Sequence, residues 1–326
     1  MADAVLLLAH GTADSADEIP EYLARVTGGR DLPASVIEEV RHRFVAIGGS
    51  PLTPLTLKQG WLLERELGMP VYVGMRNWKP YIADVVHQMR DEGVTRAVVI
   101  CLAPQNSRTS VGLYRRAVFA AAEGKIDLHF LSDWADHPLL ADAFAERLRA
   151  ARDPFAAEIG SAPPVLFTAH SVPCRTVFAV PQLDHHIAPE PPDPYSVEAK
   201  LTASLVAARI PGLTPRDWFF AFQSQGMSGG PWLGPTVEDT LTALRQQGVA
   251  SLVIQPIGFL CDHVEILYDI DVAFRRFAAN LGIALRRPES LNESHLLTLA
   301  LADLARGGLA AKQGFTRSTG SPSSRI

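Results

Sequence analysis

Cysteine is the first scarcity, with 3 in 326 residues. Cys101, Cys174 and Cys261 stand far apart, each in or beside an apolar segment, so they read as buried free thiols and not as a disulfide framework. They also fall short of the four thiolates that usually hold an iron–sulfur cluster, which excludes that cofactor. No run reaches the ~18 apolar residues of a membrane span, and the N-terminus enters a short strand without a basic, apolar leader. Positive charge is in deficit: 30 Lys and Arg face 35 Asp and Glu, for a net −5. Nucleic acid is therefore a poor partner, because phosphate contacts need clustered cations. Neither GxGxxG nor GxxxxGK occurs, and Gly48-Gly49-Ser50 follows a helix rather than a strand, so no nucleotide cofactor is expected. HxH, HExxH and CxxC are missing too, which argues against a tight preformed metal cage. What is present is 47% hydrophobic and 20% charged residues, the make-up of a soluble globular protein. A cytoplasmic enzyme is the expected class, and a monomer the expected state.

The order of apolar runs gives the architecture. Strands are predicted at Ala4–Ala9, Val71–Met75, Arg96–Leu102 and Asp127–Leu131, then at Val165–Thr168, Trp218–Gln223 and Ser251–Ile257. Between them lie helix-length segments: Asp17–Val26, Val36–Ile47, Thr56–Leu67, Tyr81–Asp91, Val111–Glu123, Pro138–Arg152, Ser196–Ala208 and Val237–Gln246. One more helix is expected to start near Asp262, and another, Ser294–Arg306, closes the chain and could lie on the first half. Strands alternating with helices mean parallel sheets under helical cover. The fold class is α/β: two similar Rossmann-like lobes, each a four-stranded parallel sheet flanked by helices. Residues 1–160 form the first lobe and 161–310 the second, with a proline-bearing joint at Gly160–Pro164. Val180–Pro194 reads as loose and residues 311–326 as a disordered tail.

In such lobes ligands bind beyond the carboxyl ends of strands. Those ends carry His10, Asn77, Gln105, His170, Gln223 and the Asp262–Glu265 group, which converge if both lobes face one cleft. The stretch QPIGFLCDHVEILYDID (Gln255–Asp271) turns from strand to helix and puts Glu265 and Asp269 four apart on one face. By itself that line would also suit the positive end of a helix, and a lone histidine at a strand end is often structural. Together, a neutral imidazole and a carboxylate suit a divalent iron or zinc ion.

FTAHSVP (Phe167–Pro173), PWLGP (Pro231–Pro235) and PIGFLCDHVEILYDID (Pro256–Asp271) resemble the three signature blocks of ferrochelatase, in that family's order. LLLAHGT, RFVAIGGSPL (Arg43–Leu52), CLAPQNSRTSVGLYRRA (Cys101–Ala117), DPY (Asp193–Tyr195) and FQSQG (Phe222–Gly226) are similar to it as well, so the likeness runs from about Val5 to Leu304. It implies a porphyrin cleft between the lobes and the insertion of Fe(II) into a porphyrin with release of two pyrrole protons. His170 matches the residue for pyrrole deprotonation or metal capture, Glu265 its partner, and Asp269 an outer member of the metal line. Arg43, Ser50 and Tyr114 match positions that contact propionates, with Arg30 and Thr12 close by. Trp232 would be cavity wall or a lobe-packing aromatic. The AIGG-SPL and LAP blocks look most like the branch that acts on coproporphyrin III; the alternatives are a protoporphyrin IX ferrochelatase and a non-catalytic porphyrin- or haem-binding protein of the same fold. His10 stands where that branch usually has tyrosine, and would either ligate the product iron axially or pack. Iron enters as substrate, with no permanently bound cofactor, and a downstream decarboxylase would be a transient partner. Three departures stand out: Thr27-Gly28-Gly29 replaces an arginine run, Ala273 interrupts the acidic line, and Asn77 replaces a histidine.

Overall fold

The computed structural model describes residues 2–177, 192–225 and 230–311. The first lobe runs β1 (Ala2–Ala9), a short 3-10 turn, α1 (Ile19–Val26), α2 (Ala34–Ala46), α3 (Leu52–Leu67), β2 (Val71–Met75), α4 (Ile82–Asp91), β3 (Val94–Cys101), α5 (Val111–Ala122), β4 (Asp127–Leu131) and α6 (Pro138–Ile159). The second runs β5 (Val165–His170), α7 (Cys174–Val177), α8 (Tyr195–Ala207), β6 (Trp218–Gln223), α9 (Val237–Gln246), β7 (Ser251–Pro256), α10 (Val264–Leu267), a π-helical turn (Asp269–Phe274), α11 (Arg275–Asn280), β8 (Ala284–Arg286) and α12 (His295–Ala310). All strand pairs are parallel, in the orders β2-β1-β3-β4 and β6-β5-β7-β8. The two-lobed α/β fold is thus present, with β1 and β5 in matching places.

Three elements differ from the sequence reading. β8 has three residues and falls between two loops, too short for a period to register. α3 starts at Leu52, because Pro54 fits a first helical turn, where its missing N–H is not needed. The helix expected from Asp262 is broken: α10 has four residues, and Ala273 N–H then reaches back to Tyr268 O at 2.9 Å, an i→i+5 bond. Such insertions widen one turn and often mark functional sites. The expected loose segment and tail fall, from Val180 to Pro191 and beyond Ala311, outside the described residues.

One apolar core runs through both lobes. The inner face of β1 (Val5, Leu7), α6 (Phe144, Leu148), β5 (Val165, Phe167), α8 (Ala199, Ala203) and α12 (Leu297, Leu301) belong to one buried cluster. α12, the last element of the chain, packs against α6, α3 and β3. Its approach to β3 needs a glycine: a Cβ on Gly308 would stand 2.8 Å from Val98. The outer sheet faces are covered by α4 and α5 in one lobe and by α9 and α11 in the other. A smaller cluster at the first lobe's edge, Ile19, Phe44 and Trp78 with Tyr22, takes in Val264 from the second lobe. That contact sets the start of α10 against the first lobe.

Candidate active site between the lobes

His170 is the last residue of β5, and the chain's departure from the sheet there fixes its ring. Tyr195 O–H donates to the His170 carbonyl at 2.9 Å, while imidazole Nδ1 donates to the Ser171 carbonyl. That bond sets the tautomer and leaves Nε2 facing Glu265 Oε1 at 3.5 Å. The other carboxylate oxygen, Oε2, lies 3.6 Å from His263 Nε2, whose Nδ1 meets the Cys261 carbonyl at 3.0 Å. Phe259 fills the space behind, 4.4 Å from the His263 ring and 6.2 Å from His170. His170 and Glu265 are 31% and 39% exposed, so the pair opens on one side. Burial works against charge on His170, yet Glu265 and the Ser171 carbonyl outweigh it and lift the imidazole above its ordinary value. Burial likewise works against the Glu265 carboxylate, and the two histidines hold it well below the carboxylate range. The pair is an ion pair at moderately acid pH. Its histidine gives up its proton only above the usual range.

The PWLGP block braces this turn through its backbone. Leu233 N–H donates to Val172 O at 3.0 Å, Cys174 N–H to Pro231 O at 2.9 Å, and Ser171 Oγ to Leu233 O at 2.8 Å. Trp232, expected as cavity wall or lobe packing, forms a bridge with Pro173, three residues after His170, and is half-buried. The segment bearing Glu265 is clamped by Arg287, which sequence reading missed. Its guanidinium grips Asp271 with two bonds, of 2.8 and 2.6 Å, and reaches Asp262 Oδ1 at 3.1 Å. Ser290 and Asn292 complete the carboxylate of Asp262, and Gln59 of the first lobe holds the Asn292 carbonyl at 2.7 Å. Asp262 and Asp271 thus flank Glu265 as anchors. They do not join it as ligands.

The facing wall is built on His10, just past β1. Gly11 follows with φ +78°, and a Cβ there would come within 3.0 Å of Met75 and Trp78, so only glycine lets the chain turn here. His10 Nδ1 donates to Gly11 O at 2.9 Å, and Nε2 accepts the Asn77 amide at 2.9 Å. Tyr22 stands edge-on to both His10 and Trp78. Burial, with Arg76 adding to it, brings His10 down to about 4, so its ring is neutral. Of the two parts expected for His10, axial ligation or packing, the structure shows the packing contacts: both ring nitrogens have protein partners, and Nε2 would have to leave Asn77 before it could meet a metal. Asn77 thus fixes the His10 ring through Nε2.

The remaining expected contacts divide. Arg43 donates to Glu39 at 2.8 Å and to Asp269 at 3.4 Å, and stacks over Tyr268 at 5.2 Å. Asp269 also accepts from Ser224 Oγ at 2.6 Å. Asp269, expected as an outer metal ligand, thus has both oxygens on protein partners, one of them an arginine of the other lobe. Burial leads the causes that raise its pKa, with Glu265 nearby adding to them. Thr12 and Tyr114 are nearly buried, Ser50 half-buried, and Arg30 exposed with Nε on the Thr27 carbonyl. Gln105 is buried and hydrogen-bonded inside, to Thr202, while the buried Gln223 accepts from Thr168 and donates to the Glu265 carbonyl at 3.4 Å, bracing that residue from behind. Among the described residues no three His, Cys, Asp or Glu side chains are grouped to hold an ion. His170, Glu265 and His263 form a line that can pass a proton and touch a metal on its way. No described helix is long and apolar enough to cross a membrane.

The chain is similar to known proteins in both sequence and fold. The Ferrochelatase family model matches residues 2–309. A Ferrochelatase of Acidobacterium capsulatum is 71% identical over 94% of each chain, and a Coproporphyrin III ferrochelatase of a Mycobacterium strain is 35% identical over 94% of this chain and 88% of its own. SirB from Bacillus subtilis, solved with Fe3+, superposes with a TM-score of 0.56 at 12% identity, over 95% of this chain and 96% of its own, which shows the shared fold alone. The chain belongs to the ferrochelatase family of metal-inserting chelatases.

Proposed function

We propose that the protein inserts Fe(II) into coproporphyrin III, giving the iron complex of that tetracarboxylate. The observation that carries the reaction is the His170 Nε2 to Glu265 contact of 3.5 Å, open on one side and opposite the His10 wall. Two pyrrole protons have to leave as the metal enters. His170, with Nδ1 committed to Ser171, has one free lone pair to accept a proton, and Glu265 stabilises the imidazolium that results. His263 on the far oxygen of Glu265 extends that path away from the reacting atoms. Fe(II) as substrate needs brief, incomplete ligation, and an imidazole with a carboxylate supplies it without a four-ligand trap. The neutral His10 on the other wall repels no incoming dication.

The choice of porphyrin is supported by the mycobacterial relatives that carry the coproporphyrin name and by the cationic rim of Arg43 and Arg30. The protein is taken to work as a monomer in the cytoplasm, without a bound cofactor, and to hand its product to a decarboxylase through transient contact. Anaerobic Fe(II) insertion, followed optically with coproporphyrin III and protoporphyrin IX in parallel, tests this reading. Faster turnover of coproporphyrin III supports it. Preference for protoporphyrin IX moves the chain to the other branch, and binding without insertion leaves a porphyrin-binding protein.

A further inference from the structure

Arg76 lies directly beyond β2, on the wall that carries His10 and Asn77. Its backbone N–H is fixed to the Ala9 carbonyl at 3.0 Å, as that of Asn77 is to the His10 carbonyl at 2.9 Å. The guanidinium lies over the Tyr114 ring, 5.5 Å from its centre. Its Nε is buried with no hydrogen-bond partner. Three other arginines near the cleft are paired with carboxylates, Arg25 with Glu21 at 3.0 Å, Arg43 with Glu39 and Asp269, and Arg287 with Asp262 and Asp271, while the exposed Arg30 meets the Thr27 carbonyl. Among the described residues no carboxylate pairs with Arg76. A buried cationic donor left unmatched costs stability, so such groups are kept where a ligand completes them.

The space beside it is open. Arg76 lines a cavity of about 540 Å³ together with Glu21, Ala24, Arg25, Gly28 and Gly29. A Cβ at Gly28 or Gly29 would meet nothing within 4 Å, so these glycines keep the mouth wide. The Arg76 backbone is tied to the Ala9 carbonyl, one residue before His10, which sets Arg76 beside the first-lobe wall of the candidate active site.

We propose that Arg76 is a carboxylate-binding residue of this site. Its guanidinium takes one acidic side arm of the tetrapyrrole in the cavity beside Gly28 and Gly29, and the Tyr114 ring holds it in place. The planar fork of arginine matches a carboxylate with two parallel bonds. This rests on the ferrochelatase reading and adds a contact on the face opposite His170. It also gives Tyr114 a different part: carrying the cation that meets the acid.

The test is equilibrium binding by fluorescence quenching, with the whole chain, of coproporphyrin III and of its tetramethyl ester in mild detergent. Arg76→Gln is expected to weaken the free acid about tenfold, in line with loss of one charge-assisted bond, and to leave the uncharged ester within about twofold. Arg76→Lys, which keeps the charge and the volume, is expected to fall between wild type and Gln. It also serves as the second variant if Gln folds poorly. Equal effects on acid and ester, or no effect on the acid, overturn the proposal even where iron insertion persists. Conversely, acid-selective weakening in a protein that never inserts iron supports this contact and sinks the ferrochelatase reading alone.

Discussion

His10 and His170 occupy the same place in two lobes of the same topology. His10 follows and His170 ends the strand second in its sheet order, both at a strand's carboxyl end, and each points Nδ1 at the carbonyl of the next residue. What differs is the group that meets Nε2. In the first lobe it is the Asn77 amide, a donor that needs the lone pair and cannot compensate a proton. In the second it is the Glu265 carboxylate, which attracts one. Burial, with Arg76 adding to it, brings His10 down to about 4, whereas at His170 the carboxylate outweighs burial and lifts the imidazole above its ordinary value. Repeating one half-fold supplies two histidines facing a common space, and a single neighbour decides which of them handles protons.

The largest effect is expected from releasing the clamp on the Glu265 segment. Arg287 is 10% exposed and bridges two carboxylates. Arg287→Leu leaves Asp262 and Asp271 buried without their cation, and removing one partner of a buried pair costs roughly 3–5 kcal/mol. Urea unfolding should show a lower midpoint of that size. An unchanged midpoint would mean that Glu265 is placed by α10 and the π turn alone.

Next comes the partner that separates the two histidines. Glu265→Gln makes the environment of His170 resemble that of His10: a neutral amide facing Nε2. Iron insertion should drop by about a hundredfold or more, the usual range for losing an acid–base partner. The pH profile should move as well. In wild type the rate is expected to rise with pH as His170, whose pKa is raised by Glu265 and the Ser171 carbonyl, loses its proton. Without the carboxylate, burial remains and the rising limb should shift to lower pH. A limb that stays in place would show that the pH dependence belongs to another group.

The fold was legible because its signals are local and repeated: apolar strands at regular intervals, and a strand-to-helix turn with charged residues in an apolar run. Resemblance singled out the pair His170 and Glu265, and the structure sets them 3.5 Å apart. The partners that tune them were less visible. Asn77 and Arg76 sit together at the end of β2, where a strand-end signal exists. Whether such a side chain meets His10 or turns into the core, as Gln105 does, depends on contacts that residue order does not carry. Arg287 follows a three-residue strand, and its partners Asp262 and Asp271 are 25 and 16 positions away. Helical spacing puts Asp269 in line with Glu265, but its contacts with Ser224 and with Arg43 of the other lobe were just as invisible in residue order.

His10 gives the next expected effect. A group whose folded value lies near 4 while the unfolded chain titrates at 6.5 binds fewer protons folded than unfolded between those limits. Stability therefore rises with pH across that window and is lost as pH falls from 6.5 towards 4, by roughly 3 kcal/mol for one such histidine. His10→Gln, which cannot titrate, should remove that part of the slope in unfolding midpoints measured between pH 7 and pH 4.5. If the slope is the same in both proteins, His10 is protonated without strain and the contrast with His170 is wrong.

The smallest change sharpens the comparison most directly. Asn77→Asp keeps the size and position of the side chain but offers His10 Nε2 a carboxylate in place of an amide, the arrangement found in the second lobe. Burial of the His10 ring stays as it is, so any shift isolates the neighbour. The His10 imidazole should then titrate upward from about 4 by one unit or more, given an opposite charge at hydrogen-bond distance. Its acid-dependent loss of stability should shrink by about 1–2 kcal/mol, the equivalent of that shift. Following the ring carbon resonances of His10 against pH by NMR reads the value itself. A titration still centred near 4 would assign the difference between the lobes to burial. A rise would assign it to the one residue at the end of β2.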